Sequence, residues 1–148
     1  MKIISNFNNL LHRLQVSPRI TKSQLNQVPR QQGAYVIWLD SNPATCLKVG
    51  IAGPRKGKGL WERIKYHFSN NPHNTPLAKH MAADISFGQE HGYDFRHRLQ
   101  RKQFLEERCF FQVIPLPSWS KRELRRFEKF LELQLNPKYR GRIKPQKC

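Results

Sequence analysis

Gly33-Ala34-Tyr35-Val36-Ile37-Trp38-Leu39, then Asp40-Ser41-Asn42-Pro43, then Cys46-Leu47-Lys48-Val49-Gly50-Ile51 is the stretch of the 148-residue chain that decides its fold. Two runs rich in β-branched and aromatic residues flank a cluster of turn formers, the pattern of a β-hairpin. Both runs are apolar on both faces, which predicts strands central to a sheet that is covered on both sides. With the turn centred near Asn42 and Pro43, Tyr35 faces Gly50, and Lys48 is its diagonal neighbour on the same face.

Before the hairpin, Ile3, Ile4, Phe7, Leu10, Leu11 and Leu14 recur at helical spacing. Ser17-Pro18 and Val28-Pro29 then punctuate, so residues 1–30 read as a helical lead-in that packs as an accessory element. After the hairpin comes a basic loop, Gly53-Pro54-Arg55-Lys56-Gly57-Lys58-Gly59, followed by a helix from about Leu60 to Phe68. The loop is not a nucleotide-binding P-loop: Gly53 and Gly57-Lys58 are one residue too close, and Gly59 stands where Ser or Thr would hold magnesium. A second helix is expected from Thr75 or Pro76 to Asp84, a third from about Tyr93 to Arg108, and a strand from Cys109 to Ile114. The last helix runs from about Ser120 to Leu135, capped by Ser118 or Ser120 and stopped before Pro137.

Charge narrows the function. Against 10 acidic residues stand 27 Lys and Arg, a net +17 spread along the whole chain. Such a surface attracts polyanions and releases their counterions on binding, so nucleic acid is the expected partner. No apolar run reaches the ~20 residues of a membrane span, and the first fourteen residues lack the uninterrupted core of a signal peptide. A cytoplasmic or nucleoid-associated protein is the expectation. Three well-separated cysteines (Cys46, Cys109, Cys148) and six histidines without an HExxH spacing argue against a disulfide framework or a zinc site.

One carboxylate stands out. On the last helix Leu124, Phe127, Leu131 and Leu135 make the apolar face, and Glu128 falls within or just beside it, whereas Glu123 and Glu132 point further round toward solvent. A carboxylate there is costly unless paired or metal-bound. On the helix after the basic loop, Arg63 and His67 lie one turn apart. An arginine fork matches a phosphate, and a histidine can accept or relay a proton near neutral pH.

Together these residues resemble the GIY-YIG nuclease superfamily over about Gly33 to Arg140. Gly33-Ala34-Tyr35 is similar to the first motif, and Lys48-Val49-Gly50 to the second with lysine in place of its tyrosine. Arg63 with His67 resembles the arginine and following histidine of some restriction-enzyme branches, and Glu128 the metal-binding glutamate. Where the family tends to place an asparagine after the proline, this chain reads Pro137-Lys138-Tyr139-Arg140, with Asn136 or Arg140 as the substitute. The resemblance implies an α/β (α+β) domain over residues 31–140, a small three-stranded, mainly antiparallel sheet flanked by helices, with a basic tail over 141–148.

It also implies phosphodiester hydrolysis with one Mg²⁺ or Mn²⁺ on Glu128, DNA being favoured over RNA. In that scheme Arg63 stabilises the phosphate. Tyr35 orients or deprotonates the attacking water, His67 accepts that proton or polarises the phenol, and Lys48 lowers the phenol's pKa. Arg55, Lys56, Lys58, Lys65 and Arg140 are the expected nucleic-acid contacts. The alternative is a catalytically silent nucleic-acid-binding module on the same scaffold, with Glu128 in a buried ion pair.

Overall fold

In a computed structural model, residues 2–54, 59–69 and 75–141 are described. The hairpin forms as β1 (Gly33–Leu39) and β2 (Thr45–Ala52), and β3 (Cys109–Pro115) pairs antiparallel with the other side of β1, giving the order β2-β1-β3. The fold is α+β, a three-stranded antiparallel sheet flanked by helices. Only β1 is central, which corrects the expectation for β2. That strand sits at the edge, and its exposed backbone is covered by the chain end, where the amides of Lys138 and Tyr139 donate to the carbonyls of Cys46 and Leu47, each at 2.9 Å.

Alternation along β1 explains the unbroken apolar run. Tyr35, Ile37 and Leu39 enter one core with Leu60, Ile64 and Phe68 of α2 (Leu60–Phe68) and Phe104 and Leu105 of α5 (Arg98–Arg108). Ala34 and Val36 enter the opposite core with Leu124, Phe127 and Leu131 of α6 (Lys121–Leu135). The lead-in is integral to that second layer: Leu14 of α1 (Lys2–Gln15) is buried in it, and the Phe7 ring lies 5.2 Å from Phe127 and 5.3 Å from Phe130.

Helix ends follow their capping chemistry. Ser120 opens α6 in a capping box with Glu123, and Asn136 closes it in a left-handed conformation at φ 46°. Thr75 caps α3 (Pro76–Ala83) by accepting from the Ala78 amide. The helix expected over 93–108 is shorter than its sequence pattern. The chain first makes α4 (Ile85–Glu90), turns at Gly92 with φ 86°, and starts α5 only at Arg98. Phe95 is the reason: its fully buried ring lies against Gly88, where an added Cβ would come within 2.9 Å of it, and Asp94 bonds the Arg96 amide. Among the described residues no helix is long and apolar enough to cross a membrane.

Candidate active site

Tyr35 sets the geometry. Its register partner on β2 is Gly50, while Lys48 pairs with Ile37, so Tyr35, Gly50 and Lys48 share one face as the hairpin reading placed them. The Tyr35 ring lies across β2 directly over Gly50: a Cβ there would sit 2.8 Å from Cε1 and closer still to Cζ and the hydroxyl. Glycine is therefore what lets the phenol reach over the edge strand.

His67 meets that phenol from above. Leu60, Ile64 and Phe68 anchor α2 on the sheet, and its first turn is tied to the segment entering β1 through Leu60 N–Gln31 O (2.8 Å) and Trp61 N–Pro29 O (3.1 Å). His67, also buried, places Nε2 3.1 Å from the Tyr35 hydroxyl, with the two rings edge to face. Its Nδ1 is buried without a hydrogen-bond partner. The two groups share one hydrogen bond, in which Nε2 donates to the phenol oxygen in one histidine tautomer and accepts the phenol's hydrogen in the other. Arg63, one turn earlier, is exposed.

Electrostatics correct one expectation outright. The Tyr35 phenol is pushed up to about 12, first by burial and further by the Glu128 charge, with Arg63 only partly opposing. The phenol therefore lies above its ordinary value, opposite to the expected direction. His67 is pushed down to about 3 by burial and by the positive charges of Arg63 and Lys48. Both groups are neutral at neutral pH. That favours an orienting phenol over a phenolate base, and a polarising histidine over a proton acceptor.

Glu128 reaches this cluster from α6, at the β2 side of the sheet. It is half-buried, and its carboxyl is raised by burial and by the neighbouring Glu132 charge, while Lys48 and Arg125 pull it down. Among the described residues it makes neither an ion pair nor a hydrogen bond, so the ion-pair reading does not describe it. A desolvated carboxylate left unpaired suits a hard divalent cation, which takes oxygen ligands and retains water. No group of three or more His, Cys, Asp or Glu that could hold a metal occurs among the described residues. A cation would therefore rest on Glu128, with Glu132 adding charge nearby. Glu132, expected to point toward solvent, is half-buried, and it and Arg125 both lie about one turn from Glu128 and act on its carboxyl.

Other expected contacts divide. Lys48, 8% exposed, donates through Nζ to the Gly141 carbonyl at 2.8 Å, and His80 Nε2 lies 3.0 Å from the same oxygen. The carbonyl thus joins β2 to α3. Arg140 donates to the Glu132 carbonyl (3.1 Å) and to Asn136 Oδ1 (2.9 Å), so the two substitutes for the missing asparagine bond each other and finish α6 as one unit. Lys65 is exposed, with its ammonium 4.7 Å above the Trp61 ring, which also carries Arg30 at 3.9 Å. Arg55, Lys56 and Lys58 lie outside the described residues.

The arrangement can hold an anion against Arg63, a cation against Glu128, and a water against the phenol. In comparisons with protein-family models, curated proteins and solved structures, the chain matches none.

Proposed function

We propose that the chain is a metal-dependent endonuclease of GIY-YIG type that hydrolyses phosphodiesters in nucleic acid, DNA before RNA. The observation that carries this reading is electrostatic convergence. Tyr35 feels the charges of Arg63 and Glu128, His67 feels Arg63 and Lys48, and Glu128 feels Lys48, although these residues come from four separate elements. Cation, anion and neutral hydroxyl side by side are what phosphoryl chemistry asks for.

Arg63, exposed at the rim, binds the phosphate and offsets the charge that builds on its oxygens. Lys48 adds positive potential from below. In this scheme His67 carries its proton on Nε2 and donates it to the Tyr35 oxygen, which also accepts a hydrogen bond from the attacking water and aligns it. The water's proton passes to the phenol oxygen as the phenol's own hydrogen moves to a phosphoryl oxygen, so no phenolate forms. Glu128, with Glu132 alongside, would hold one Mg²⁺ or Mn²⁺, which when bound supplies charge neutralisation at the scissile phosphate and leaving oxygen.

A panel of labelled duplex DNA, single-stranded DNA and RNA, incubated with Mg²⁺, Mn²⁺ or EDTA, tests the assignment. Cleavage that depends on the metal, with duplex or single-stranded DNA cut faster than RNA, is expected. Binding without cleavage of any substrate would make the chain the silent module instead.

A further inference from the structure

Four cations share one stripe of α6. Arg122, Arg125, Arg126 and Lys129 follow one another at i, i+3, i+4 and i+7, which puts them on a single face, and all four are exposed. Leu124, Phe127 and Leu131 occupy the sheet side of the helix, so the stripe faces away from the core.

These charges are only weakly opposed, Arg126 acting through space on the Glu123 carboxylate and Arg125 on that of Glu128. Some cations elsewhere stand against carboxylates, Lys22 and Lys102 on Glu106, Arg96 on Asp94 and Lys138 on Asp84, whereas Arg13, Lys79 and Arg98 are scattered singly and make no ion pair among the described residues. None of the four on α6 makes an ion pair among the described residues. Of the acids of α6, Glu123 is held in the capping box and Glu128 lies one turn from Arg125. Like charges one turn apart repel by a few tenths of a kcal/mol per pair, a cost that a bound polyanion removes.

The stripe is about 10 Å long at 1.5 Å per residue, and the exposed positions of α6 include no aromatic residue. Single-strand binders interleave cations with aromatic rings on which bases stack. A surface of cations without stacking rings is suited to the phosphates of a duplex whose bases are already stacked.

We propose that Arg122, Arg125, Arg126 and Lys129 form a phosphate-backbone track for double-stranded nucleic acid, leading along α6 to the flank of Glu128. The track deepens the nuclease reading and rests on it only for what it delivers the duplex to.

The test is fluorescence anisotropy of a labelled 20-bp duplex across a salt gradient in EDTA, where no cleavage is needed. Arg122→Gln/Arg126→Gln/Lys129→Gln leaves Arg125 beside Glu128 intact. Arg13→Gln/Lys79→Gln/Arg98→Gln removes the same charge from other exposed positions. Each phosphate contact contributes about 0.9 to the slope of log K against log salt, so losing three should shallow it by about 2.7 and shrink the affinity lost between 50 and 200 mM salt by about 40-fold. The α6 variant should show this and the control triple should keep a slope close to wild type, with both helical by circular dichroism.

Equal shallowing in both triples would reduce the effect to net charge and overturn the track. So would an unchanged duplex slope in the α6 variant, whether its loss falls instead on single-stranded DNA or on anionic phosphatidylserine vesicles. A track confirmed in EDTA, in a protein that cuts nothing in Mg²⁺, would refute the nuclease assignment alone.

Discussion

Replacing Gly50 by alanine puts the site's geometry to its sharpest test. The added Cβ would stand 2.8 Å from Tyr35 Cε1 and nearer to Cζ and the hydroxyl, whereas carbon atoms rest at about 3.5–4.0 Å. The ring must retreat by about 1 Å. It cannot do so freely, because it is wedged between β2 and the Phe111 and His67 rings, 6.3 and 5.6 Å away between centroids.

Overpacking of this kind costs about 1–3 kcal/mol. At roughly 2–4 °C per kcal/mol for a chain of this size, the melting temperature should fall by several degrees without loss of the fold. A displacement of about 1 Å at a positioning group costs about 10²-fold in rate. Thermal melts and single-turnover cleavage at saturating duplex should therefore show a modestly destabilised protein cutting about a hundredfold more slowly, with binding in EDTA unchanged. In a Tyr35→Phe background the stability loss should persist, since the ring carbons remain, while the rate should fall no further. A folded Gly50→Ala protein that cleaves within a few fold of wild type would refute the placement of the phenol at the reacting centre.

Glu128 should behave as a residue kept at a cost. Its folded pKa is raised, so the ionised form destabilises the fold above that pKa and the penalty disappears once pH falls below the unfolded value. Glu128→Gln should melt a few degrees higher at neutral pH and equal wild type in acid, and a lower neutral melting temperature would contradict the unpaired carboxylate. With the phenol at about 12, cleavage in Mg²⁺ should show no tyrosine-dependent rise between pH 7 and 10. Lys48→Met should leave the shape of that profile intact while lowering its height, and an alkaline limb that moves in Lys48→Met would restore the phenolate base. The acid limb should lie above the ordinary carboxylate range, because Glu128 must ionise to hold a cation. A limb that stayed in place in Glu128→Asp and under exchange of Mg²⁺ for Mn²⁺ would assign it to another group.

The sequence revealed those parts of the fold that local chemistry dictates. The β1 run is apolar on both faces because helices cover both, and Ser120 with Glu123 announces the start of α6. The short α4 and the start of α5 at Arg98 rather than near Tyr93 were hidden, because they depend on Phe95 packing against Gly88. At the site, residue types and spacing brought Tyr35, Lys48, Arg63, His67 and Glu128 to notice, and the register of the hairpin placed two of them on one face. Protonation was not legible, since the phenol's rise comes from burial, which the tertiary packing creates. Nor was the acceptor of Lys48, a carbonyl 93 residues further along the chain.

The most direct measurement is relaxation of supercoiled plasmid by purified wild-type and Glu128→Gln protein, with Mg²⁺ and with EDTA, alongside duplex binding by the same preparations. The account predicts nicking or linearisation by wild type in Mg²⁺ only, none by Glu128→Gln, and duplex affinities within a few fold of each other. Cleavage by Glu128→Gln at the wild-type rate, or cleavage by wild type undiminished in EDTA, would contradict it.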